Sequence, residues 1–351
     1  MDALNILVTG AGAPGIKGTL YSLKNNFDGR KINIIGTDAK EDVIGKYLCD
    51  SFYQIPKASE PEYVIELGSI CQNESIDVLL PQNTAELLIL AGNKELFKSF
   101  GTKIAISEKK SIEIANDKHK LMSLAKDIGL PTAEFYLVDT FEGLVESAKK
   151  LGWPEKPVVI KPPISNGMRG VRIIDESVNL KENFYSEKPT SLYIHMSYLK
   201  TILGNLFPSL LIMEYLPNEE WTVDILSVNN IYVVTRKRDI IRSGITFEGT
   251  YEENKQMIEY SRLLSKEIGL EYAFGFQFKL DANNVPKLLE SNPRIQGTMV
   301  LSTFAGANII YGAVKQALGE KVPEFNILWR TRIMRYWGGI GINDNKIFGQ
   351  V

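Results

Sequence analysis

Short apolar runs open the chain and return at intervals, at 5–8, 32–36, 77–80 and 103–106. Between them lie segments of helical period at 16–25, 62–72 and 86–97. Strands apolar on both sides and alternating with helices predict a parallel α/β sheet covered on both faces. The first run enters Gly10-Ala-Gly12-Ala-Pro14-Gly15, a strand–glycine loop–helix junction, and the second leads to Asp38. That spacing fits a dinucleotide fold and makes NAD binding a rival reading. The signal is weak, because a tight strand-to-helix turn needs glycine without any phosphate, and Pro14 removes one N–H donor. Gln82, Asn83 and Thr84 follow the third run, where an open parallel sheet lines its ligand crevice. Helix capping is the plainer role for Asn83 or Thr84.

Beyond residue 110 the rhythm changes. A helix opening at Asn116-Asp117-Lys118 stops at Gly129-Leu130-Pro131. Strands at 135–138 and 157–160 flank a helix at 141–151, and the loop Lys161-Pro-Pro-Ile-Ser165-Asn-Gly167-Met-Arg169-Gly170 follows. Its glycines let backbone N–H groups approach a polyphosphate, although the GK[ST] ending of a Walker loop is missing. Residues 176–206 read as helix, turn and helix. An apolar strand at 210–213 leads into Glu214-Tyr215-Leu216-Pro-Asn218-Glu219-Glu220, and another at 231–235 into Arg236-Lys-Arg238-Asp-Ile-Ile-Arg242. A helix is expected over 251–268 and a last strand over 329–337.

The stretch 274–294 reads as a β-hairpin closed by Asn283-Asn284, because Asn tolerates the positive φ of a two-residue turn. Such a loop sets Gln277 opposite Glu290, and the strand period adds Asn292 and Arg294 to the same face. One carboxylate and two amide oxygens in one volume suit Mg²⁺, with Mn²⁺ as a substitute. Arg294 offers a fork of donors for phosphate or carboxylate.

Composition narrows the classes. A chain of 351 residues, 44% hydrophobic, has room for two or three cores. A net charge of −2 gives no general attraction to nucleic acid or acidic membranes. Two cysteines, Cys49 and Cys71, make no disulfide framework, and His119 and His195 are too few for an imidazole metal site. The N-terminus has no signal-peptide layout, and no apolar run approaches the ~20 residues of a membrane span. The expectation is a soluble cytoplasmic protein with neither nucleic-acid nor membrane partners.

The string Glu290-Ser-Asn292-Pro-Arg294, preceded by Gln277, resembles the metal-binding end of ATP-grasp ligases. Within that superfamily it is most similar to the carbamoyl-phosphate synthase large-chain and biotin carboxylase branch. The ordered motifs run from 116 to 297. The resemblance implies that Lys118 and Lys161 reach the phosphates of ATP, under a lid loop holding Ser165, Gly167, Arg169 and Gly170. It places Glu214, Tyr215 and Leu216 at adenine and Glu220 at the ribose. Asn218 stands where the family often has glycine, which keeps Glu219 as the alternative ribose ligand. Gln277, Glu290 and Asn292 would hold Mg²⁺, and Arg238, Arg242 and Arg294 would act on the acidic substrate or the transferring phosphoryl group.

The implied fold is α/β, becoming α+β in the C-terminal part. It has a Rossmann-like domain at 1–110, a connecting helix at 111–131, a lid at 132–213 and a catalytic subdomain at 214–351. The implied activity is that of an ADP-forming carboxylate–amine ligase working through an acylphosphate on small molecules, and a homodimer is compatible with it. Carbamoyl-phosphate synthesis and biotin carboxylation as whole activities are not expected, since no second synthetase half, glutaminase or biotin-accepting domain is seen. Two other readings stand beside this one: an NAD-dependent oxidoreductase using the 10–15 loop, and a catalytically idle ATP-binding regulatory protein.

Overall fold

The computed structural model describes residues 3–165, 167–186, 192–227, 229–336, 338–344 and 346–351. By compactness the chain divides into two units. One comprises Met1–Ala115, Trp221–Gln277 and Ser291–Val351; the other comprises Asn116–Glu220 and Phe278–Glu290.

The first unit begins with five parallel strands, β1 (Leu4–Val8), β2 (Ile32–Asp38), β3 (Ser51–Gln54), β4 (Val78–Leu80) and β5 (Lys103–Ile104), in the order β3-β2-β1-β4-β5. Ile6, Val8, Ile34 and Val78 enter one core, while Leu7, Ile35 and Leu79 enter another on the opposite face. This two-sided burial explains why the strands read as unbroken apolar runs. The edge strand β3, Ser-Phe-Tyr-Gln, lacks that signature and was not foreseen. The helix expected over 86–97 is two helices, Leu87–Gly92 and Lys94–Ser99. Asn93 breaks it, its side chain donating to the Ile89 carbonyl at 2.7 Å.

The glycines of the first loop serve packing. A Cβ on Gly15 would sit 2.6 Å from Gly297 Cα, so the helix start and the 295–299 segment touch backbone to backbone. The Gly12 N–H donates to the Asp38 carboxylate at 2.8 Å. The acidic residue of the fingerprint is therefore bonded to the glycine loop itself, and the third glycine is matched to a protein backbone.

The second unit is built on β6 (Phe135–Thr140), β7 (Val158–Lys161), β8 (Arg172–Ile174), β9 (Tyr193–Ile194) and β10 (Leu206–Glu214), in the order β6-β10-β7-β8-β9. Val138, Ile160 and Ile212 pack with Leu144 and Ala148 of the helix Phe141–Lys150. The 176–206 stretch holds two helices, Leu180–Ser186 and Met196–Leu203, with β9 between them; 187–191 lie outside the described residues. The helix Lys118–Asp127 starts at its N-cap Asp117, whose carboxylate accepts from the N–H groups of His119 and Lys120.

A six-stranded sheet contains β11 (Glu220–Ser227), β12 (Ile231–Arg242), β13 (Ile245–Tyr251), β14 (Tyr272–Leu280), β15 (Pro286–Asn292) and β16 (Arg332–Met334), in the order β15-β14-β11-β12-β13-β16. The basic run lies within β12. Strand alternation buries Arg236 and Arg238, and the hairpin end leaves Arg242 exposed. The helix expected over 251–268 starts later, at Lys255, because Asn254 caps it through the Met257 N–H and Tyr251 still belongs to β13. The last strand expected over 329–337 shortens to β16, and Trp337 lies outside the described residues. A final hairpin joins β17 (Ile340–Asn343) and β18 (Lys346–Gln350).

Close packing at Gly15 gives a stability test. Gly15→Ala should lower the unfolding free energy by about 1–3 kcal/mol, the cost of forcing extra volume into a packed contact. Gly92→Ala, at a helix end with open space around it, should change it by less than about 0.5 kcal/mol or raise it. Urea unfolding of both variants checks this; equal effects would remove the backbone contact as the reason for the glycine.

Candidate active site

In the second unit two lysines converge on one carboxylate. Lys118 opens its helix with its N–H donating to the Pro163 carbonyl at 2.9 Å. Its Nζ donates to the Ser165 carbonyl at 3.0 Å and lies 3.5 Å from Glu290 Oε2. Lys161, the last residue of β7, sends its Nζ to the Leu289 carbonyl at 3.1 Å. Both lysines are buried, at 5% and 6% exposure. Burial pushes the Lys161 ammonium down to about 8; Glu290 opposes the shift, Lys118 adds to it, and Glu220 opposes it more weakly.

The loop after β7 turns through positive φ at Gly167, Met168 and Gly170. Arg169 is exposed, Ser165 is fixed through its carbonyl by Lys118, and Asn166 lies outside the described residues. On the far side of β10, the Glu214 N–H bonds the Glu134 carbonyl, Tyr215 is half-buried and Leu216 is buried. Asn218 donates from its side chain to the Asp281 carbonyl at 2.8 Å and to Asn284 Oδ1 at 3.0 Å. An asparagine therefore ties this connection to the hairpin turn, which a glycine could not do. Glu219 is exposed, whereas Glu220 is half-buried and acts electrostatically on Lys161 and Lys279.

The turn between β14 and β15 corrects the expected two-residue loop. The Asp281 N–H bonds the Val285 carbonyl and the Asn284 N–H bonds the Asp281 carbonyl, so three residues, 282–284, make the turn. Asn284 takes the positive φ, at 60°. Along β15, Glu290 and Asn292 are half-buried on either side of buried Ser291, as the strand period requires. Gln277 and Asn292 fall in the first unit and Glu290 in the second.

Within the first unit, Arg294 donates from Nε to Thr84 Oγ1 at 2.9 Å, from Nη1 to the Ile295 carbonyl at 2.9 Å, and weakly from Nη2 to Asn292 Oδ1 at 3.5 Å. Thr84 thus joins the set, while Asn83 forms a capping box with Glu86 and Gln82 accepts from Thr19. Arg238 is held by Thr246 Oγ1 and the Gly244 carbonyl, and its Nη1 lies 3.4 Å from Gln277 Oε1. Arg242 stacks over Phe247 at 4.6 Å.

Two residues were not singled out as site candidates by the sequence. Arg236, wholly buried, lies 3.7 Å from Asp224 and donates to Thr298 Oγ1, while Gln296 donates to Asp224 Oδ1. Burial raises the Asp224 carboxyl to about 6 against the pull of Arg236. Lys279 stands 5.2 Å from the Tyr215 ring; its only sequence signal was a second polar side chain two residues after Gln277 in an apolar strand. Among the described residues no group of three His, Cys, Asp or Glu side chains could hold a metal, and no helix is long and apolar enough to cross a membrane.

A family profile described as ATP-grasp in the biosynthetic pathway with Ter operon matches residues 206–335, and one for a PylC-like N-terminal domain matches 6–105. The chain has the ATP-grasp fold. It is 24% identical over 304 residues to the carbamoyl phosphate synthase large chain of Clostridium acetobutylicum, covering 82% of this chain and 25% of that one. It thus spans about a quarter of the length of the curated relatives it matches. N5-carboxyaminoimidazole synthetase from Staphylococcus aureus, complexed with ADP, superposes with a TM-score of 0.71 at 17% identity, over 96% of this chain and 83% of that one. The biotin carboxylase domain dimer of Hydrogenobacter thermophilus 2-oxoglutarate carboxylase, in complex with MgADP, ADP and bicarbonate, gives 0.66 at 20%, over 93% and 73%. These likenesses establish an ATP-grasp fold of mixed α/β construction.

Lys161 of this ATP-grasp chain makes stability depend on pH in a defined direction. Its folded value of about 8 lies below the ordinary 10.5, so between them the unfolded chain binds the extra proton and stability rises with pH. Lys161→Met should remove that rise. The gap between wild-type and variant unfolding free energies should move in favour of wild type across this window, and parallel curves would show that the ammonium is not buried in solution.

Proposed function

We propose that the chain is an ATP- and Mg²⁺-dependent ligase that activates a small-molecule carboxylate and passes it to an amine, releasing ADP and phosphate. The observation that carries this reading is the pair of buried lysines, Lys118 and Lys161, with half-buried Glu290 at the foot of the Ser165–Gly170 loop. Two buried ammonium groups beside one carboxylate favour a polyanion. In this reading Lys118, Lys161 and the loop N–H groups neutralise the phosphates, with Arg169 closing over them. The polar edge at Glu214 to Leu216 takes adenine, and the half-buried Glu220, rather than the exposed Glu219, takes the ribose.

The metal is proposed to lie on Gln277, Glu290 and Asn292. Each of these oxygens faces a protein cation at a long distance: Arg238 at 3.4 Å from Gln277, Lys118 at 3.5 Å from Glu290, and Arg294 at 3.5 Å from Asn292. Contacts this long are weak as hydrogen bonds, and hard oxygen donors already turned toward positive charge suit Mg²⁺. When bound, the ion would draw charge from the transferring phosphoryl group. Arg294, fixed on Thr84, is then placed to hold the substrate carboxylate, with Arg238 keeping Gln277 oriented and Arg242 at the exposed hairpin end meeting the remainder of the substrate. The substrate carboxylate attacks the γ-phosphorus, ADP leaves, and an amine displaces phosphate from the resulting acylphosphate. Most of the acceleration on this reading is positioning and charge stabilisation. A homodimer belongs to the proposal and is read by light scattering.

Crossing carboxylates with amines in an ADP-release screen, with hydroxylamine as a trap, tests the chemistry. Glu290→Gln keeps volume but removes the only formal charge among the three metal ligands, and should lower kcat at least ~100-fold. ADP without hydroxamate under every condition would favour a kinase or ATPase, and full Mg²⁺-dependent turnover in the variant would overturn the site.

A further inference from the structure

In the first unit β12 runs on past the end of its neighbour β13. Tyr251, the last residue of β13, pairs with Arg236. The chain then leaves the sheet at Thr235, whose hydroxyl donates to the Glu252 carbonyl and accepts from the Asn254 N–H at 3.1 Å. Residues 231–234 pair with β11 alone, and among the described residues no backbone hydrogen bond reaches them from the other side. In an antiparallel strand alternate residues turn their N–H and C=O toward opposite neighbours. Half of this overhang therefore keeps its main-chain groups unpaired.

A cavity of about 470 Å³ follows that edge. Val233 and Val234 point to opposite faces of the sheet, yet both line it, so the space lies along the strand's edge and not over one face. The segment 324–329 forms the opposite wall and is held from behind. The Leu328 N–H bonds the Ala305 carbonyl at 2.9 Å, and a Cβ on Gly306 would lie 2.4 Å from the Asn326 carbonyl oxygen. The gap is thus built into the fold. Tyr232 and Phe325, with ring centroids 5.0 Å apart, join Ile258, Ile327 and Trp329 as its apolar lining. Arg262, Glu253 and Glu324 stand exposed around it, and among the described residues none of the three makes an ion pair.

We propose that this edge binds a short free peptide with an apolar side chain, taken up as an added strand. An unpaired ladder edge offers donors and acceptors at strand spacing, which another extended main chain matches. Four edge residues at ~3.3 Å each span ~13 Å, room for about three or four ligand residues. The aromatic and aliphatic walls take the apolar side chain. The uncommitted charges select a free peptide over a segment inside a longer chain: its ammonium meets Glu253 or Glu324, and its carboxylate meets Arg262. An internal segment carries neither terminal charge. The site lies wholly in the first unit and rests on no part of the ligase reading.

Calorimetric titration with alanyl-leucyl-alanine tests this, beside trialanine, the leucine peptide capped by acetyl and amide groups, and two leucine peptides each N-methylated at one peptide bond. The leucine peptide should bind at least ~10-fold tighter than trialanine, from burial of its side chain. Capping both termini should weaken it at least ~10-fold through loss of charge-assisted hydrogen bonds. Arg262→Gln, an exposed change that leaves the fold intact, should weaken the free peptide and leave the capped one unaffected. In an added strand only one of the two peptide N–H groups faces the edge, so one N-methyl peptide should lose binding and the other keep it. No saturable binding of the leucine peptide at millimolar concentration would overturn the site. Equal binding of trialanine, or tolerance of both N-methyl groups, would overturn the added strand.

Discussion

Burying two ammonium groups beside one carboxylate is the constraint that organises the second unit. Neither lysine retains its water shell, so each must find protein oxygen, and both find backbone carbonyls: Lys118 at Ser165 and Lys161 at Leu289. Those two bonds tie a helix start to the loop after β7, and the end of β7 to β15. Glu290 supplies the compensating charge at 3.5 Å from Lys118. An arrangement of this kind is rarely a net gain in stability, because desolvation offsets most of the Coulomb attraction. Its persistence is better explained by what it can bind than by what it holds together.

The first unit solves a related problem with arginine. Arg236 and Asp224 are both wholly buried and 3.7 Å apart, a loose pair whose remaining bonds run to Thr298 and Gln296. Those two residues sit on the segment that also carries Arg294, and Gly297 between them meets Gly15 backbone to backbone. A Cβ on Gly275 would overlap the Gln296 amide, so that glycine too is set by the same segment. The glycine string that suggested a dinucleotide loop thus has a mechanical explanation. It lets the start of the first helix approach the stretch following the ligand strand.

Local pattern carried what depended on local pattern. Two-sided apolar runs announced the parallel sheet, and the period of β15 placed Glu290 and Asn292 together. Distant partners were invisible. The burial of Lys161 is one such case, because nothing nearby in sequence announces the Leu289 carbonyl that receives it. The turn was judged one residue too short, since Asn283-Asn284 fits a two-residue hairpin as well as it fits the observed turn with Asn284 in the left-handed region. Asn218 looked like a departure from the family and proves to be a staple to that same turn. Arg236 was read as one charge in a basic run, and only the pairing of β12 between β11 and β13 shows why its alternate positions are buried.

The two units differ in how their charged groups are held, and the difference bears on which part of the proposed reaction each governs. Lys118 and Lys161 are fixed by main-chain carbonyls, which cannot rotate away, so their charges are set in place before any ligand arrives. Preorganised charge of this sort suits a partner that never varies, such as a triphosphate. Arg294 and Arg238 each keep one main-chain carbonyl, of Ile295 and Gly244, but they also use the hydroxyls of Thr84 and Thr246 and long contacts to Asn292 and Gln277. The long contacts to Asn292 and Gln277 can be exchanged for a ligand oxygen at small cost. On the ligase reading, nucleotide recognition would therefore be the physical problem of the second unit. The choice of carboxylate would fall to the first, where Thr84, Arg294 and the β12–β13 hairpin supply the replaceable contacts.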